Sequence, residues 1–222
     1  MRTFLSPLSV CRSIAVTAGV LCVAGLGCGS QSTPQLTLHS AAQNRNFTEN
    51  FSHAYVTHDI NGDTEVVMLD RAAEGALQGM SNDIPVRQVM HIRVLWNAQS
   101  DMASEHMSAS NAAVHWYVMG NTAASAGDVL EYAGTAFIVV DQHTNHTELQ
   151  IRNASMRPVA CRGGLCDPIG TTTFQGTIRA TENPQRVREA LACVRTAVAL
   201  AGKPPIEHAG SGKIESSASV MP

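Results

Sequence analysis

Val86-Arg87-Gln88-Val89-Met90-His91-Ile92-Arg93-Val94-Leu95-Trp96 alternates with a period of two. Val86, Met90, Ile92, Val94 and Trp96 share one side, with Gln88 as its single polar member; Arg87, Val89, His91, Arg93 and Leu95 share the other. That alternation, carried by β-branched and aromatic residues, marks a half-buried strand. Two more runs follow. Ala113-Val114-His115-Trp116-Tyr117-Val118-Met119 sets Val114, Trp116 and Val118 on one side and is closed by Gly120-Asn121. Gly134-Thr135-Ala136-Phe137-Ile138-Val139-Val140 is apolar nearly throughout, which predicts a strand buried on both faces. No segment of helical period separates the three runs, so antiparallel neighbours are expected rather than βαβ units.

The pattern extends in both directions. Upstream, residues 54–69 hold two apolar runs around Asn61-Gly62, a dipeptide suited to the positive φ of a tight hairpin turn. Residues 71–85 read as a loop with one helical turn over 72–77. Residues 129–132 lead as a short strand into the third run. Downstream, residues 147–156 direct Leu149 and Ile151 inward, and residues 171–180 set Phe174, Ile178 and Ala180 against Thr173, Gln175, Thr177 and Arg179. The period then changes. Asn183 suits an N-cap and Pro184 a first helical position, and Val187, Leu191, Val194 and Val198 form one apolar stripe. Gly202 and Pro204-Pro205 stop the helix. The expected fold is mostly β: an antiparallel sandwich or open barrel of six to eight strands, with one C-terminal α-helix packed on it. Its core is expected around Trp96, Trp116, Phe137, Phe174 and the Val187 stripe.

The 222 residues suffice for one domain with a real core, placed at 44–205. Residues 28–43, rich in Ser, Thr, Gln and Ala and without charge, read as a flexible tether; residues 206–222 read as a disordered tail. Residues 1–27 read as a targeting segment. Arg2 and Arg12 supply its positive start, and residues 13–27 are uncharged, small and apolar but too few to span a bilayer. The segment ends in Ala24-Gly25-Leu26-Gly27-Cys28 and resembles a bacterial lipoprotein signal peptide, with Gly27 as the small residue before the cysteine. The resemblance implies export, lipidation at Cys28 and a membrane-anchored domain facing the periplasm or the cell exterior. It covers the first thirty or so residues and implies nothing about the folded part.

Arg2 and Arg12 are the only charges before Cys28, so the remainder sets thirteen bases against eighteen acids. Such a mildly acidic body offers no electrostatic footprint for nucleic acid. In an exported chain, Cys161-Arg162-Gly163-Gly164-Leu165-Cys166 predicts a local disulfide between Cys161 and Cys166. Cys193 is left over, and its pairing with either of them is the competing arrangement.

Among nine histidines, His143 and His146 fall with Asp141 in a predicted hairpin loop, where they are the candidate metal ligands. His91 and His115 lie on the mixed faces of the two tryptophan strands, placed to meet across them. GxSxG, SxxK, HExxH and a glycine-rich phosphate loop are all missing, and no cofactor is implied. The expected role is an exported, lipid-anchored, non-enzymatic binding or structural domain. A small apolar ligand or a protein is its expected partner, beside the membrane reached through the lipid. The alternative is a metal-dependent or His/Asp-based enzyme with a site on the loops at 97–111 and 141–147.

Overall fold

The computed structural model describes residues 34–60, 63–80, 86–98, 110–122, 125, 127–165, 167 and 169–201. Among these, the elements in chain order are β1 (Gln35–Ser40), β2 (Arg45–Asn50), β3 (His53–His58), β4 (Thr64–Leu69), α1 (Arg71–Leu77), β5 (Val86–Val94), β6 (Ala112–Gly120), β7 (Val129–Gln142), β8 (Thr147–Arg162), β9 (Thr172–Glu182) and α2 (Pro184–Ala201). The targeting segment, Cys28, Asn61-Gly62, Cys166 and the tail at 206–222 lie outside the described residues.

Consecutive strands from β3 to β9 all pair antiparallel, including β4 and β5, which α1 separates in sequence. The sheet then returns on itself. β9 pairs with β8 along one edge; its other edge pairs antiparallel with β1 over Thr172 to Gln175 and parallel with β3 at Thr181 and Glu182. A ring of seven strands results, with the β1–β2 hairpin attached beside the closure. The mostly antiparallel β architecture with a docked C-terminal helix is therefore present, with nine strands rather than six to eight.

Of the two extra strands, β1 lies where a tether was expected, and β2 lies just beyond it, inside the stretch expected to be the folded domain. Gln35-Leu36-Thr37-Leu38-His39-Ser40 alternates exposed and buried, and Leu36 and Leu38 enter the main core. Short, uncharged and bordered by Ser and Gln, the segment carries a strand's period inside a linker's composition. β2 is mostly exposed and pairs only with β1 among the described strands.

The barrel has two apolar layers. Inside it, Leu38, Val56, Met68, Met90, Ile92, Trp116, Tyr132, Ile138, Leu149, Phe174 and Ile178 belong to one buried cluster. Gln88, the polar member of its face, is explained here. It accepts a hydrogen bond from the Trp116 indole at 3.1 Å and donates one to Glu49 at 3.2 Å. Trp116 stacks on Tyr132 at 5.0 Å between centroids, and the Tyr132 hydroxyl donates to Asp167. Outside the wall, Val67, Leu69, Val89, Met119 and Val129 form a second layer with Val187, Ala190, Val194 and Ala197 of α2. The helix begins with the Asn183 side chain accepting from the Arg186 amide at 3.1 Å. Its buried line runs through the alanines at 190 and 197, with Leu191 and Val198 at its margin. Small residues there bring the helix axis close to the sheet. The short helix α1 is tied to it through Glu74, whose carboxylate takes hydrogen bonds from Gln78 at 2.9 Å and Tyr55 at 3.4 Å and lies 3.7 Å from Arg186.

Two local expectations are corrected. Trp96 is 45% exposed and lies outside the core. β5 ends at Val94, and Leu95 and Trp96 form a bend, so the period-two pattern does not carry the ring inward. Trp96 instead meets Phe137 edge-to-face on the outer wall, at 6.4 Å, where Phe137, Val139 and Ala98 form a small cluster. The expected strands at 129–132 and 134–140 are one fourteen-residue strand. Gly134, in its middle, lies so close to β8 that a Cβ there would collide with the Ser155 carbonyl.

Candidate functional site

β7 and β8 are joined at Gln142 and Thr147, which pair, so residues 143–146 make the turn. The His143 amide donates to the His146 carbonyl at 2.9 Å and closes it. This closure brings the two imidazoles together, stacked with centroids 4.7 Å apart and planes 24° from parallel. Glu148, one residue into β8, is the third member: one donor atom from each of His143, His146 and Glu148 lies within 4.8 Å of the others. Asp141 is not part of the group. It sits opposite Glu148 in the register, but its carboxylate accepts from Gln150 at 3.3 Å. Glu148 is missing from the sequence reading because its place depends on the length of the turn. Its carboxylate also accepts from Arg179 of β9 at 3.2 Å, an exposed pair.

A second group lies under the helix layer. His91 and His115 are directly opposed across β5 and β6, with centroids 6.4 Å apart. The His115 Nδ1 lies 3.0 Å from the Glu131 carboxylate and its ring stacks on Tyr117. Burial, and then the Glu131 charge and hydrogen bond, push the Tyr117 hydroxyl up to about 12. The His91 Nε2 is buried without a hydrogen bond, and the nearest carboxylate oxygen, on Glu65, stands 3.8 Å away. Burial, reinforced by the positive charge of His115, Arg93 and Arg195, lowers His91 to about 4. His91 is therefore a neutral ring at neutral pH, and the Glu65 contact is not an ion pair there. The cluster is a half-buried polar seam between β5, β6 and β7.

On the opposite side of the barrel, the outer wall has an open concavity of about 340 Å³, lined by Thr37, His39, Asn46, Arg152, Asn153, Thr173, Phe174 and Gln175. A β-bulge shapes it. Ile151 pairs with Gly176 and Ala154 with Phe174, so Arg152 and Asn153 together oppose Gln175 alone. His39 and Asn46 face each other across β1 and β2 at 3.0 Å. Hydroxyl, amide, imidazole and guanidinium groups thus converge on one trough that crosses four strands.

The cysteine loop follows β8. Gly163 has φ +76°, a conformation that favours glycine, and the Asp128 carboxylate accepts from the Gly164 amide at 3.0 Å. Cys161 is a free, exposed thiol directed at the Leu165 carbonyl, and Cys193 is also free and half-buried on α2. Neither expected bridge is formed by these two, and Cys166 lies outside the described residues. The loop at 97–111 is described only at its ends. Asn111 donates to the carbonyls of Trp96 and Ile138 and accepts from the Ile138 amide, which fastens the loop to β7; Asp101, Glu105 and His106 lie outside the described residues. No protein-family model, no curated protein and no solved structure matches the chain.

Proposed function

We propose that the chain is an exported, lipid-anchored binding domain, non-enzymatic, whose ligand seat is the polar trough over β2, β1, β9 and β8. The observation that carries this reading is the contrast between the barrel's two sides. The interior is occupied by side chains such as Met90, Trp116, Tyr132 and Phe174, whereas the trough turns convergent hydrogen-bonding groups toward solvent. Arg152, Gln175 and Thr173 suit a polar ligand or an extended segment of a protein partner better than an apolar molecule.

Anchoring is compatible with the wall's polarity. β1 runs from the rim that carries the β3–β4 and β7–β8 turns toward the opposite rim, as its pairing with β9 dictates. Ile60, Leu95 and Trp96, all exposed, belong to the rim with these turns, where an aromatic and two aliphatic side chains suit a lipid–water boundary.

A thermal-shift screen of the mature chain against oligosaccharides and peptides tests the seat. A ligand should raise the melting temperature of the wild type and not of the Arg152→Ala/Gln175→Ala variant. Equal rises in both proteins, or none in either, would remove the trough from the reading. Cys28→Ser tests the anchor separately, since it should move the protein from the membrane to the soluble fraction.

A further inference from the structure

We infer that the β7–β8 turn is a binding site for a borderline divalent transition-metal ion, held by His143, His146 and Glu148. The site is separate from the trough and does not depend on that reading or on the anchor.

Three features of the chain carry this. The donors are two imidazole nitrogens and one carboxylate oxygen, a set that suits zinc, copper or nickel; calcium and magnesium prefer oxygen alone, and the softest ions prefer thiolate. The donors come from a rigid base: the turn is closed by the His143–His146 backbone bond, and Glu148 is fixed by strand pairing to Asp141 and Arg179. The spacing is close to what coordination requires. Bonds of about 2.0–2.1 Å to a tetrahedral ion place ligand atoms roughly 3.4 Å apart. The present separations, up to 4.8 Å, shorten to that by small side-chain rotations on an exposed turn.

Charge agrees with the donor set. Asp141 faces Glu148 across the hairpin and adds a second carboxylate near the ion without ligating it. Glu148 would exchange its contact with Arg179, a solvent-exposed partner, for the metal. With three protein donors, a tetrahedral ion keeps one position on the solvent side for water or for a group from another molecule. His58 is not a fourth ligand: its ring nitrogens face Thr64 at 3.0 Å, Thr147 at 3.4 Å and Gln142 at 3.5 Å.

The test uses the mature chain in detergent, freed of metal with a chelator and titrated with zinc, nickel and copper(II) salts. About one ion per chain should bind, and the copper(II) spectrum should show two nitrogen ligands. His143→Ala and His146→Ala should each weaken binding roughly tenfold or more and leave one nitrogen in the spectrum. Glu148→Gln should weaken it less and leave both. The metal-free variants should melt at the wild-type temperature, because the turn is exposed. Binding of unchanged affinity in the His143→Ala/His146→Ala variant would overturn the assignment. So would failure of the wild type to bind any of the three ions at about 100 μM.

Discussion

Strands β4 and β9 cross the same barrel, yet β4 is buried on both faces and β9 on one. In β4, Val66 and Met68 point into the barrel, and Val67 and Leu69 point out of it; all four are inaccessible to water. In β9, Thr172, Phe174, Ile178 and Ala180 are buried while Thr173, Gln175, Thr177 and Arg179 are exposed. The difference lies in what covers the outer wall. Helix α2 and the short α1 roof the β3–β6 side, and the β8–β9–β1 side faces water. A strand's pattern in this chain reports its outer neighbour, not its place in the sheet order.

The comparison can be broken where both walls share one interior. Trp116→Ala should remove about 4 kcal/mol of stability, because it empties a large buried volume and frees the Gln88 amide oxygen from its donor. Urea unfolding of the mature chain measures this, and a loss under about 1 kcal/mol would mean that the interior is not packed as described.

The roofed wall is sharpened by pH. His91 has a folded value of about 4 against an ordinary value of 6.5, so between these pH values the unfolded chain holds a proton that the folded one does not. Its contribution is intact above about pH 6.5 and declines as the pH falls toward 4, by about 3 kcal/mol in all. Substituting His91→Phe should flatten that part of the stability–pH curve; a curve of unchanged slope would place a charged His91 in the folded protein.

The helix contact itself comes next. Val187→Ala should cost about 2 kcal/mol, since Val187 is buried between α2 and the wall. The open wall gives the smallest effect. Thr177→Ala, on the exposed face of β9, should change stability by no more than about 0.5 kcal/mol. If the two substitutions cost the same, the distinction between the walls fails.

Most of this architecture was legible in the residues because period two and period 3.6 are imposed directly by burial. The strand from Thr172 and the helix from Pro184 to Ala201 stand where the patterns place them. The failures have separate physical causes. β1 has a strand's alternation inside a linker's composition, and the partner that buries it, β9, lies more than 130 residues away. Trp96 continues a strand's period past the point where the strand ends. His91 and His115 could be anticipated as neighbours, but the unpartnered nitrogen of His91 depends on the helix above it. At the metal candidate, the histidines were visible as a pair and Glu148 was not. Only the four-residue turn decides that Glu148, rather than Asp141, stands beside the rings. The bulge at Arg152 and Asn153, and with it the trough, leaves no sequence signal beyond a break in alternation.

The ring is fastened between β3 and β9 by two parallel residue pairs, Tyr55 with Thr181 and Val56 with Glu182, aided by the Asn183 amide bonded to the Val56 carbonyl. Both sides of that fastening come from distant parts of the chain, and β1 waits for β9 as well. A nascent chain emerging from its N-terminus thus carries unsatisfied strand edges until its last strand is out. Completion of the barrel is a late event, and transient exposure of β1 and β3 is the interval in which helper proteins or proteases would find it.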